Sequence, residues 1–117
     1  MKLPILVLLC LATVCRADTY VRAQSSIYVA NGLELAIVGG HSHSMAPALL
    51  PGEYVYLDRR NAKDAQVGDI VSNGWATHRV TAANARAVYT SGDNNRQPDG
   101  WTKREHIEYI VRFIVRP

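Results

Sequence analysis

Cysteine is all but missing from this chain. Of 117 residues two are Cys, Cys10 and Cys15, and both fall within the first 17. The body from residue 18 onward has no thiol, which excludes a disulfide framework, a zinc ribbon and a thiolate nucleophile there. Aromatic residues make up 8% of the chain, with a single Phe, so any core must be built mainly from aliphatic side chains. Charge of one sign is also in short supply. Against 10 Asp and Glu stand 13 Lys and Arg, and Lys2 and Arg16 belong to the N-terminal stretch, leaving 11 basic residues in the body. That near balance offers no electrostatic footprint for a nucleic-acid partner. The five Pro and eight Gly are scattered, which excludes collagen-like and low-complexity chains, and there is no internal repeat.

Long hydrophobic runs are lacking too. The uncharged stretch Leu3–Cys15 is 13 residues; as a helix it would span about 20 Å, short of the ~30 Å hydrocarbon core of a bilayer. One basic residue before it and Cys15-Arg16-Ala17 after it fit the small-x-small rule for cleavage after Ala17. Residues 1–17 therefore read as an export signal or a weak membrane anchor. Neither cysteine follows the small residues of a lipoprotein signal. Residues 18–117 are enough for one domain, and their apolar content, with no disulfide to help, must hold it together.

What is present is mostly strand. Ser25–Ala30 and Leu33–Val38 flank Asn31-Gly32, a strong signal for a two-residue hairpin turn. Glu53–Leu57 follows the turn Pro51-Gly52. Ile70–Ser72, Thr77–Thr81, Arg86–Ser91 and Glu108–Arg116 are further runs rich in β-branched or aromatic residues. A helical turn is expected only at Lys103–Ile107. Short strands at such intervals predict an all-β domain, a small folded sheet or barrel of antiparallel strands.

Three polar segments interrupt the strands. Gly40–Glu53 carries Ser42 and Ser44 in a loop after an apolar strand. His78 sits in the strand Thr77-His78-Arg79-Val80. Ser91–Gly100 holds Asp93 and Asp99 among Asn and Gly. Each is unremarkable alone: a polar loop, a packed histidine, an Asx turn. The last lacks the ligand spacing and terminal Glu of a calcium loop, and no metal or cofactor site is expected. Together they supply a nucleophile, a base and a carboxylate, Asp93 or Asp99, the roles of a serine-hydrolase triad. His41 and His43 flank the serines, but alternate residues of an extended segment face opposite ways, so His78 is the expected base.

Read in order, Ser44-Met45-Ala46-Pro47-Ala48-Leu49-Leu50-Pro51-Gly52-Glu53, Val67-Gly68-Asp69-Ile70-Val71, His78-Arg79-Val80 and Gly92-Asp93-Asn94-Asn95 with Asp99 beyond resemble the type I signal peptidase family, from about Val38 to the C-terminus. Ser-Met-x-Pro is shared with the LexA-like autoproteases. Those relatives and the usual bacterial signal peptidases pair serine with lysine. His78 stands at the lysine position, as in the branch similar to the endoplasmic-reticulum, archaeal and sporulating-Gram-positive enzymes. The resemblance implies Ser44 as nucleophile, His78 as general base and Asp99 as the carboxylate that orients it, with Asp93 holding the loop or sharing that role. It also implies Ser42 and the Ser44 N–H as oxyanion donors. The expected activity is a serine endopeptidase that cuts leader-like peptides after small residues, exported or held at a membrane surface by the N-terminal segment, with a peptide or pre-protein as its partner. The alternative is a catalytically idle domain of the same fold that serves binding or assembly. A LexA-type autoprotease would need a lysine base and a DNA-binding helix pair, and the sequence has neither.

Overall fold

The computed structural model describes residues 32–39 and 43–116; the expected strand Ser25–Ala30, the N-terminal stretch 1–17, His41 and Ser42 lie outside the described residues. Among the described residues there are seven strands, six of them on the expected runs: β1 (Glu34–Ile37), β2 (Tyr54–Asp58), β3 (Ile70–Ser72), β4 (Thr77–Ala83), β5 (Ala87–Ser91), β6 (Gly100–Lys103) and β7 (Tyr109–Val115). They form one sheet in the order β1-β2-β7-β3-β4-β5-β6, every pair antiparallel. The all-β expectation holds, and of its two forms the open sheet is the one observed: β1 and β6 are its two ends. Among the described residues no helix is long and apolar enough to cross a membrane.

Alternation along the strands sorts the apolar residues into two clusters. The register Val71↔Ile110 and Ile70↔Val111 sends Val71 and Ile110 to one side of the sheet and Ile70 and Val111 to the other. Val71 and Ile110 join Val80, Val88, Ile107, Ala62 and Ala65. Ile70 joins Met45, Leu49, Val55 and Leu57, against which Val111, Tyr109 and Ile114 pack. Each fully buried aliphatic side chain contributes about 1.5–3 kcal/mol, which is how a body without disulfides is held. The second cluster also roots the loop that carries Ser44.

Local reading missed two elements. β6 alternates half-buried and exposed positions and begins at Gly100, a weak strand former; it is recruited by pairing with β5. A 3₁₀ turn at Ala62–Asp64 is set by the core position of Ala62. The expected turn at Lys103–Ile107 is a 3₁₀ turn, Arg104–His106. Among the described residues the partner of β1 is β2, and the ladder is extended by Val38 N–H to Glu53 O and Gly52 N–H to Val38 O, both 2.8 Å. Residues 43–51 carry Ser44 ahead of β2.

Candidate active site

Ser44 opens a tight turn, in which Ala46 N–H donates to His43 O and Leu49 N–H to Met45 O, each at 3.0 Å. Met45 and Leu49 are buried in the second cluster, so Ser44 is held beside an apolar anchor. His78 is the second residue of β4, where buried and half-buried positions alternate, and it is 5% exposed. Its Nε2 lies 2.9 Å from Ser44 Oγ and its Nδ1 2.6 Å from Asp99 Oδ2. Residues from three separate segments thus form a hydroxyl–imidazole–carboxylate chain, and the His78 and Asp99 side chains are each 6% exposed.

The two candidate carboxylates part company. Asp99 is drawn under His78 because its N–H donates to Thr90 O at 2.8 Å, and Thr90 Oγ1 donates to its Oδ2, also at 2.8 Å. Asp93 faces away. It takes a bidentate pair from Arg79, Nε to Oδ1 at 2.9 Å and Nη2 to Oδ2 at 2.8 Å, and this bond raises the Arg79 pKa above its ordinary value against the opposing effect of burial. Arg79 Nη1 also holds Gly68 O at 2.8 Å. Gly68 has φ +99°, a conformation L side chains rarely adopt. The Arg of His-Arg-Val and the Gly of Val-Gly-Asp are therefore parts of one clamp on the Asp93 loop.

That loop in turn holds the serine. Asn94 N–H donates to Ser44 O at 2.7 Å, Asn94 Nδ2 to His43 O at 3.2 Å, and Asp93 N–H reaches Met45 Sδ at 3.4 Å. From the other side, Glu53 Oε1 accepts from Leu50 N–H at 2.7 Å, and Arg116 bonds both Glu53 and the carbonyl of Ala48. The Arg116 bond holds the Glu53 carboxyl below its usual range in spite of burial, with Leu50 N–H adding to the effect. The Ser44 turn is thus tied on one side to the Asp93 loop and on the other to Arg116, just past β7.

Ser44 and His78 open on a cleft of about 540 Å³ walled by Ala36, Val38, Leu57, Tyr109 and Val111, with Trp75 and Asn95 at its edge. Trp75 is 71% exposed and stands edge-on to the His78 ring, with centroids 6.3 Å apart. Among the described residues the histidine bonded to Ser44 is His78; His43 is exposed. Of the two expected oxyanion donors, Ser42 lies outside the described residues, and the Ser44 N–H belongs to the turn just described. No group of three or more His, Cys, Asp or Glu among the described residues is placed to hold a metal ion.

Sequence reasoning missed Asn73 and Thr90. Both are buried, and Asn73 Nδ2 lies 3.3 Å from Thr90 Oγ1 and 3.5 Å from Asp99 Oδ2. The only local signal was Asn73-Gly74, a turn dipeptide. Comparison of the chain with models of known protein families, with curated proteins and with solved structures finds no match.

Proposed function

We propose that this protein is a serine endopeptidase of the signal-peptidase type. The observation that carries the reading is the Ser44 Oγ–His78 Nε2–Asp99 chain, at 2.9 and 2.6 Å, opening on an apolar cleft. A serine hydroxyl attacks a peptide carbonyl only as a base takes its proton, and neutral imidazole at hydrogen-bond distance suits that task. As Ser44 Oγ bonds to the carbonyl carbon, its proton passes to His78 Nε2. The resulting imidazolium is stabilised by Asp99 and then protonates the leaving amine. Water, activated by the same histidine, releases the acyl group and restores Ser44. The resemblance gives the Ser44 N–H and the Ser42 hydroxyl as donors to the oxyanion.

Substrate preference follows from the ordered motifs and from the cleft. The motif set resembles enzymes that cut leaders after small residues, and the walls of the cleft carry no Asp, Glu, Lys or Arg, which suits an extended apolar peptide. Residues 1–17 would deliver the domain to the exported side or hold it at the membrane, where its substrates emerge.

The test uses the full chain and a peptide whose leader ends in Ala-x-Ala. Ser44→Ala and His78→Ala each abolish cleavage with folding intact by circular dichroism, and a serine-directed phosphonate labels Ser44 in the native protein. Native protein that neither cleaves nor is labelled is instead an idle binding or assembly domain of this fold. Cleavage that survives Ser44→Ala overturns the assignment of the nucleophile.

A further inference from the structure

Three polar groups meet on one oxygen of Asp99. His78 Nδ1 lies 2.6 Å from Oδ2, Thr90 Oγ1 2.8 Å and Asn73 Nδ2 3.5 Å. Thr90 is wholly buried and Asn73 is 5% exposed, and neither takes part in the proton relay itself. Their effect follows from counting donors and acceptors outward from the β3–β4 turn. Asn73 Oδ1 accepts from Trp75 N–H at 3.2 Å and from Ala76 N–H at 2.9 Å. Two main-chain donors settle which end of the amide is oxygen, so the other end is an NH₂, which can only donate. It donates to Thr90 Oγ1 at 3.3 Å. A threonine hydroxyl has one proton; with Asn73 on a lone pair, that proton goes to Asp99 Oδ2.

An oxygen at which Thr90 and Asn73 already aim hydrogens has no room for a proton of its own directed at His78. The hydrogen between His78 Nδ1 and Asp99 must therefore come from the imidazole. Neutral imidazole has a single N–H, and placing it on Nδ1 leaves Nε2 with its lone pair toward Ser44 Oγ. We propose that Asn73 and Thr90 are positioning residues that set the tautomer of His78 by filling Asp99 Oδ2 with donors, so that the main chain of the β3–β4 turn dictates which histidine nitrogen faces the serine. Thr90 adds orientation. Its carbonyl holds the Asp99 N–H at 2.8 Å while its hydroxyl holds the carboxylate, and a β-branched side chain has little χ1 freedom to lose that grip.

The proposal rests on the Ser44–His78 reading for its consequence in catalysis, but the tautomer is measurable without turnover. In the full chain labelled with ¹⁵N-histidine, NMR of native protein above neutral pH should show Nδ1 protonated and Nε2 bare at His78. Thr90→Val keeps the shape and removes the hydroxyl. Asn73→Ser keeps a hydroxyl acceptor for the turn N–H groups but is too short to donate to Thr90 or Asp99. Each variant should convert His78 to a mixture of tautomers and lower kcat roughly tenfold to a hundredfold, the scale of a hydrogen bond to a charged group, with KM unchanged. Thr90→Ser should restore both. Amide dispersion reports folding; if Thr90→Val does not fold, Asn73→Ser carries the test. A native His78 protonated on Nε2, or folded variants that keep the native tautomer, overturns the proposal. The native tautomer, lost in both variants of a protein that cleaves no leader peptide, upholds the positioning role and removes the peptidase reading.

Discussion

Gly92→Ala isolates the contact between the Asp93 loop and the nucleophile. Gly92 is buried and its φ is not in the left-handed region, so alanine is tolerated by the backbone and would by itself stabilise by about 0.4–1 kcal/mol through the unfolded chain. The space forbids it. A Cβ at residue 92 would stand 2.9 Å from Ser44 O and 2.6 Å from Asn95 Nδ2. The Asn95 amide is the end of a flexible side chain and can swing away; Ser44 O is main chain, and it accepts the 2.7 Å bond from Asn94 N–H. To regain ordinary contact the two segments must part by roughly half an ångström, an overpacking that costs about 1–3 kcal/mol and outweighs the entropic gain. The shift falls on the residue that carries the nucleophile. Since misplacement by ~1 Å can cost about 10²-fold in rate, half of that should cost roughly tenfold. Thermal unfolding should show a modest fall in Tm, while the rate of Ser44 labelling by a phosphonate and kcat on an Ala-x-Ala peptide both drop about tenfold. Labelling at the native rate in a folded variant would refute the idea that this loop positions Ser44.

Two further experiments address the carboxylates. Asp99→Asn should lower kcat by about 10⁴-fold, as loss of a triad carboxylate does, whereas Asp93→Asn, which only weakens a half-exposed pair with Arg79, should cost less than about tenfold; equal losses would contradict the separation of their roles. Asp58 tests stability against pH. Burial alone would raise its carboxyl pKa, but bonds from Asn61 and from Arg112 outweigh that and hold it below the ordinary 3.8. A lowered folded value means that its stabilisation is complete above 3.8 and disappears as pH falls through the folded value. The gap in Tm between native protein and Asp58→Asn should therefore be widest near neutrality and close below that value, and a gap that persists unchanged at acid pH would show that the carboxylate charge is not what stabilises the β2–β7 pairing.

Local chemistry was legible without a structure. β-branched runs at Ile70–Ser72 and Glu108–Arg116 marked strands because side-chain shape and backbone dihedrals act within a few residues, and Ile70–Ser72 is observed with those same bounds. Ser44 and His78 were legible as candidates by residue type and motif order. β6 was not, because its two strand formers, Trp101 and Thr102, sit between Gly100 and Lys103, both depleted in strands, and the run becomes a strand by lying along β5.

Which carboxylate reaches the histidine was beyond any local reading of the residues; only the family resemblance favoured Asp99. Asp93 and Asp99 are the same residue type in one polar loop, and nothing local distinguishes them. Strand pairing does: Thr90↔Gly100 returns the far end of the loop over β5, laying Asp99 against His78 from 21 residues away, while Arg79 on the same strand claims Asp93. The Ser44–His78 contact spans 34 residues and depends in the same way on β1, β2, β7, β3 and β4 lying in register. Asn73 and Thr90 acquire their meaning only there. A turn asparagine and a strand threonine are ordinary within their own segments, and they become a chain of donors to Asp99 because the β3–β4 turn and β5 are brought within hydrogen-bond distance, an alignment set by sheet register and two apolar clusters rather than by any residue's own preference.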